Sequence, residues 1–334
     1  MDHAGTSGYP QPQPRAQRQP VLRRTRFVCI SDTHNTTVKL PKGDVLIHAG
    51  DLTNQGSYSE LSRAVQWLEK ADFETKIVVA VFASPYSPRN GLWAFGYDAP
   101  QHGSLGAAAS NLPTLWDDIP LEADVVVTHT PPHTHCDESR AQRAAGCEAL
   151  RRALWRVRPR LAVCGHVHEG RGVERVRWDL GCGGSAFREE GVESWSDPGQ
   201  GNKQSLVNLS MKGGNALRND GSHPERSPSD KDVGRIAFGP SPSPAIPGTT
   251  SETAAELGLG TRGLAGDPTS PRTEVAALAG RLGRRETCVV NCAIMAKSYP
   301  HVGGKTVNKP IVVDLDLPVW EWGRDGMPRV VYAD

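Results

Sequence analysis

Three observations predict an α/β fold for this chain. Continuous apolar runs rich in Val, Ile and Leu recur along it, stretches with helical apolar periodicity lie between them, and four of the runs end on an Asp or a His. Continuous rather than alternating runs mark strands buried on both faces, as in parallel sheets. Strand alternating with helix is the pattern of an α/β sheet.

Taken in order, residues 26–31 and 44–49 are the first two predicted strands. Residues 59–71 then read as a helix, because Leu61, Ala64, Val65 and Leu68 recur at helical spacing. Residues 76–80 form a third strand. Residues 123–128 and 160–164 are the fourth and fifth, with a helix over 141–156 between them. Residues 173–178, 287–296 and 311–317 are further strands, assigned to a second sheet.

Composition bounds the rest. The 334 residues carry 35 Gly and 26 Pro, and hydrophobic content is 37%. That is low for a fully globular chain, so one domain diluted by disordered segments is expected. Residues 1–24, rich in Pro, Gln and Arg, form a disordered tail because they have too little apolar surface to fold. Residues 25–195 are the main part of the domain and 196–272 a disordered low-complexity insert. Residues 273–334 complete the same domain. A formal charge of +1 gives no reason to expect a nucleic-acid polymer or an anionic membrane as partner. Seven scattered cysteines without zinc-finger spacing fit a reducing, cytoplasmic setting. No signal-peptide core and no apolar run of bilayer length are present.

The chemistry lies at the strand ends. Asp32-Thr33-His34 follows the first strand, Gly50-Asp51 the second, His129 the fourth and Gly165-His166-Val167-His168 the fifth. Open α/β folds gather their sites at strand C-termini. Mixed Asp and His ligands suit borderline metals such as Mn, Fe and Zn. Six such residues are too many for one ion with open positions, so two ions sharing a carboxylate are expected. Each piece alone is weak, since an Asp at a turn commonly caps a helix; their order gives the signal. His48 reads as a core histidine or one that orients a ligand. His133 and His135 follow a Thr-Pro-Pro turn and read as loop residues, either solvated or within reach of a substrate. Trp93, Phe95 and Tyr97 read as core, and Trp320 and Trp322 as covering a core edge.

The motifs Ser31-Asp32-Thr33-His34, His48-Ala49-Gly50-Asp51, Thr128-His129-Thr130-Pro131-Pro132 and Gly165-His166-Val167-His168 resemble those of calcineurin-like metallophosphoesterases. The likeness is to the metallophosphoesterase-domain branch in its fungal form. It covers about 25–182 and resumes at about 286–320, including Asn308 to Asp316. The resemblance implies a double β-sandwich flanked by helices and a hydrolase with two divalent metal ions. Asp32, His34 and His168 would hold the first ion, His129 and His166 the second, and Asp51 would bridge them. A bridging hydroxide would attack a small phosphate ester, a phosphodiester or cyclic nucleotide by family likeness, with manganese a natural ion.

One family motif is missing. Relatives carry Gly-Asn-His-Asp/Glu after the third strand, where the Asn ligates the second metal and the His assists the leaving group. Here the chain runs Ala80-Val81-Phe82-Ala83-Ser84, and Gly-Asn-His occurs nowhere. The implied second site is therefore weak, no motif His is available as the catalytic residue, and turnover is impaired. The alternative is a non-catalytic metal-binding or interaction protein on the same scaffold.

Overall fold

The computed structural model describes residues 20–79, 123–139, 144–179, 188–197, 203–219, 284–297, 304–324 and 328–333. It adds short pieces at 87–88, 96–97, 116 and 119–120. The chain divides into two compact units, Arg24–Asp316 and a smaller one of Met1–Arg23 with Leu317–Asp334.

In chain order the elements are β1 (Leu22–Ile30), β2 (Val45–His48), α1 (Tyr58–Glu69), β3 (Thr75–Val78), β4 (Ser87–Pro88), β5 (Gly96–Tyr97) and β6 (Val125–Val127). They continue with α2 (Glu148–Val157), β7 (Leu161–Cys164), β8 (Gly172–Trp178), β9 (Glu189–Ser194), β10 (Ser205–Leu209), β11 (Glu286–Asn291), β12 (Ile311–Pro318), β13 (Trp320–Trp322) and β14 (Pro328–Val330).

The fold is α/β, built on two five-stranded sheets. The first has the order β10-β12-β1-β2-β3 and the second β6-β7-β11-β8-β9. β1, β2 and β3 run parallel, as do β6, β7 and β11, whereas β8 and β9 are antiparallel neighbours. Helix α1 packs Ala64 and Leu68 on the first sheet with Val28, Ile30, Leu46 and Val312. Helix α2 packs Leu150, Leu154 and Trp155 on the second with Val126, Ala162, Val176 and Val289. Helix α1 starts at a capping box, in which Ser57 accepts from the Glu60 amide and Glu60 from the Ser57 amide. That pairing satisfies two otherwise orphaned helix donors.

The sheets are stitched together at one end. Ser31 N donates to Cys292 O (3.1 Å), Ile294 N to Ser31 O (2.9 Å) and Met295 N to Asp32 O (3.3 Å). The segment after β11 thus pairs with the residues that leave β1. This junction brings the end of the first sheet to the end of the second.

Several expectations need correction. The fourth and fifth predicted strands, β6 and β7, belong to the second sheet, and residues 311–317 to the first. Continuous burial identifies a strand but carries no record of its partners. The helix expected over 141–156 starts only at Glu148. The residue just before it, Cys147, is extended, with its N on Pro131 O, and Gly146 N bonds the Asp137 carboxylate. The strand expected over 287–296 ends at Asn291, where the chain leaves β8 for β1.

The tail expected over 1–24 runs too far, because β1 begins at Leu22 and Arg24 pairs with the buried Asp314 carboxylate. The disordered insert expected over 196–272 starts too early. Ser205–Leu209 alternates buried and exposed side chains and pairs in parallel with Ile311–Leu315. Its composition looks like a linker, but its period of two is that of an edge strand. The remainder of that insert beyond Asn219 lies outside the described residues, as do Trp93, Phe95 and the join from Ala80 to Ser84.

In the smaller unit β13 and β14 form an antiparallel pair, and Val21 N donates to Val331 O (2.8 Å). Trp320 and Trp322, expected over a core edge, are instead exposed. No helix among the described residues is long and apolar enough to cross a membrane.

Candidate metal centre

The strand ends deliver Asp32, His34, Asp51, His129, His166 and His168 to one place. Two groups of three present ligand atoms that all lie within 4.8 Å of one another. One is Asp32, His34 and His168, and the other is Asp32, Asp51 and His129. Either can hold a metal ion. Asp51 stands between the two halves: its Oδ2 is 3.6 Å from His34 Nε2 and its Oδ1 3.6 Å from His129 Nε2. Asp32 Oδ1 is 3.3 Å from His168 Nε2. His166 belongs to neither group and reaches the cluster through Nδ1, 3.2 Å from His129 Nε2.

The backbone bends sharply to achieve this. Asp32, His34, Asp51 and His166 all have positive φ, between 45° and 67°. Asp and His tolerate this left-handed region better than most residues, and such strain concentrates at functional sites. The two loops after β1 and β2 are paired, with His34 N on Asp51 O (3.0 Å) and Asp32 N on Gly50 O (2.9 Å). The backbone amide of His166 donates to the buried Asp32 carboxylate at 2.9 Å.

Two glycines make room. A Cβ on Gly50 would lie 2.5 Å from His129 Nδ1, and one on Gly165 would run into the Asp32 carboxylate.

The histidines are oriented for ligation. His129 Nδ1 bonds Ala49 O and His168 Nδ1 bonds Lys297 O, both at 2.9 Å. A carbonyl can only accept, so each Nδ1 carries a proton and Nε2 faces the carboxylates. This is the usual way a second hydrogen bond fixes a metal-binding imidazole, so the donor set fits a pair of divalent transition-metal ions.

The electrostatics agree. Burial raises the Asp32 carboxyl, but the His168 hydrogen bond and the His129 and His168 charges outweigh it and hold its pKa far below the usual range. Burial lowers His129, yet the Asp51 hydrogen bond and the charges of Asp51 and Asp32 push it up to about 9. Burial and the neighbouring His129 charge depress His166 to about 4. Burial also lowers His168, but the Asp32 hydrogen bond and the charges of Asp32 and Asp51 outweigh it and raise its pKa.

Other sequence candidates fall elsewhere. His48 is fully buried, depressed to about 4 by desolvation, and bonds Thr33 Oγ1 through Nε2 at 2.9 Å. His135, expected on a substrate loop, is instead 1% exposed. Glu174 takes its Nδ1 at 3.0 Å and Glu189 its Nε2 at 3.1 Å, so it is a structural staple between β8 and β9.

Sequence reasoning missed two residues. Lys305 Nζ reaches His34 O at 3.4 Å and stands at the rim of the cluster. Asn291 lies buried under the His166–His168 loop. Its signal was a lone amide in the apolar run Cys288 to Met295. Nothing in the local sequence marks Lys305.

No family model matches the chain. A probable rhamnogalacturonate lyase C of Emericella nidulans is 36% identical over 203 residues, covering 46% of this chain and 18% of that protein. Metallophosphoesterase domain-containing protein 1 of Homo sapiens is 31% identical over 211 residues, covering 45% of this chain and 62% of that protein. The chain thus spans less than two thirds of either relative. A UPF0046 protein of Caenorhabditis elegans is 30% identical over 199 residues, covering 45% of this chain and 71% of that protein. Among solved structures, a purple acid phosphatase from yellow lupin overlaps 48% of this chain and 40% of its own at 11% identity, with a TM-score of 0.28, too loose to argue from.

Proposed function

From the premise that the chain belongs to the family of UPF0046 and metallophosphoesterase domain-containing proteins, within the calcineurin-like metallophosphoesterases, we propose that it is a metal-dependent phosphoesterase. Its substrate is a small phosphate ester, a phosphodiester or cyclic nucleotide. Asp32, His34 and His168 hold one divalent cation, His129 and His166 a second, and Asp51 contributes to both. Manganese, iron and zinc all suit this donor set. The observation that carries the reading is Asp51, which turns one carboxylate oxygen to each half of the cluster at 3.6 Å.

When bound, the cations supply Lewis acidity, lowering the pKa of water and polarising the phosphoryl oxygens. The chain's own residues do the rest. Asp32, fixed by the His166 amide, and His129, fixed by Ala49, present donors whose directions are set before anything binds. Lys305 brings a cation to the rim, where an anionic ester enters. The missing Gly-Asn-His leaves the second site short of a ligand and the leaving group without its acid, so turnover is low. The six described cysteines are buried and in no disulfide, which supports a reducing cytoplasmic setting.

Metal content and hydrolysis of an aryl phosphodiester test this together. Two ions per chain, with turnover that needs added Mn²⁺ and stops in chelator, are expected. One ion or none, without turnover, favours a non-catalytic metal-binding or interaction protein instead.

A further inference from the structure

Two buried polar side chains outside the ligand set grip the middle of the two ligand-bearing triplets. His48, on β2, faces Thr33, which separates Asp32 from His34. Asn291, at the end of β11, faces Val167, which separates His166 from His168. Both are fully buried.

The hydrogen bonds around His48 have one consistent direction. Gly50 N–H can only donate, so His48 Nδ1 accepts from it at 3.4 Å. A neutral ring that accepts at Nδ1 carries its proton on Nε2. His48 Nε2–H therefore donates to Thr33 Oγ1 at 2.9 Å, and the Thr33 hydroxyl in turn donates to Leu52 O at 3.5 Å. The relay begins at Gly50 and ends at Leu52, the two neighbours of Asp51. It passes through Thr33, the shared neighbour of Asp32 and His34. Three of the six cluster residues are thus gripped from behind by one imidazole.

Asn291 does the same for the other sheet. Its Nδ2 donates to Val167 O (2.8 Å) and to Cys136 O (2.9 Å), and its Oδ1 accepts from Ala293 N (3.2 Å). Ala293 in turn forms a bridge with Ser31, beside Asp32. One amide therefore ties the His166–His168 loop to the junction between the sheets.

We propose that His48 and Asn291 are the positioning residues of the metal centre, each fixing the central residue of a ligand-x-ligand triplet so that the flanking side chains converge. The inference rests on the metal reading above. Residues that orient metal ligands typically contribute about 10–100-fold in metal affinity.

The mildest test is at Thr33. Thr33→Val removes the hydroxyl at nearly constant shape, and Thr33→Ser keeps it. Each variant is checked for folding by circular dichroism and titrated with Co²⁺, reading affinity and the visible absorption band. Thr33→Val should lose about 10–100-fold in affinity and shift the band, while Thr33→Ser stays within a few-fold of the parent. Asn291→Ala should lose a similar factor. If that variant does not fold, the Thr33 pair decides alone.

A Thr33→Val protein with parental affinity and spectrum overturns the proposal. A parent that binds no cobalt overturns the metal reading itself. In metal-free protein, ¹⁵N NMR that places the His48 proton on Nδ1 instead of Nε2 overturns the relay without touching that reading.

Discussion

Gly50→Ala isolates how closely the backbone must approach His129. Gly50 has φ +114°, outside the ordinary left-handed basin, and an added Cβ would sit 2.5 Å from His129 Nδ1 and 3.0 Å from its Cγ. Forcing an L-residue to positive φ costs about 1–2 kcal/mol. Overpacking a buried ring adds about 1–3 kcal/mol. If the ring yields, the 2.9 Å bond from Nδ1 to Ala49 O is lost, at about 0.5–1.5 kcal/mol. Together these come to about 2.5–6.5 kcal/mol. Gly56→Ala is the control, since Gly56 also has positive φ (+71°) but nothing lies within 4 Å of its added Cβ. It should cost only about 1–2 kcal/mol. Urea unfolding in chelator measures both, and Mn²⁺ titration of the folded proteins measures the consequence. Gly50→Ala should weaken metal binding and Gly56→Ala should not. Equal destabilisation by the two, or unaltered Mn²⁺ affinity in Gly50→Ala, refutes the close-approach argument.

Three further outcomes are expected. Asp51→Asn, which removes the charge facing both His34 and His129, should abolish Mn²⁺-dependent phosphodiester hydrolysis, and full activity in the variant would exclude this mechanism. Inserting a relative's Gly-Asn-His segment between Ala80 and Val81 should raise both metal occupancy and rate, by about 10²-fold or more if the His serves as an acid; an ungrafted chain already holding two ions at the same rate would mean that other residues supply those functions. Burial lowers His135, but Glu174 and Glu189 outweigh it and raise its pKa, so its contribution to stability is fully present below about pH 6.5 and is lost as pH rises through the raised value. Denaturation midpoints across that window should fall for the parent and stay flatter for His135→Gln, and parallel curves would remove His135 as the source.

Most strands were legible because burial on both faces leaves a run such as Val45 to Ile47 or Leu161 to Cys164 with no polar interruption. What the runs do not encode is partnership. Val125–Val127 and Val45–His48 are both short apolar runs, yet they lie in different sheets, the first against β7 and the second between β1 and β3. Ser205–Leu209 failed for another reason. Its Gly-, Ser- and Asn-rich surroundings dominate composition, while the evidence for a strand is only the alternation of three buried residues with two less buried ones.

The six cluster residues were legible because each follows a strand and because Asp and His are costly to bury without a shared purpose. Their supports were hidden because they use ordinary residues for a purpose visible only across the sheets. His48 lies in a strand core, and Asn291 is one amide among apolar neighbours. Thr33 looks like a spacer between two cluster residues, yet its hydroxyl joins the loop bearing Asp32 and His34 to the loop bearing Asp51. The same logic explains the strained backbone. Four cluster residues sit at positive φ, a cost of order 1–3 kcal/mol each for the less tolerant residues. That strain persists only where other bonds over-determine it. The relay through His48, the Asn291 amide and the His166 amide on Asp32 are those bonds, so loosening any one should release the bend as well as the side chain it carries.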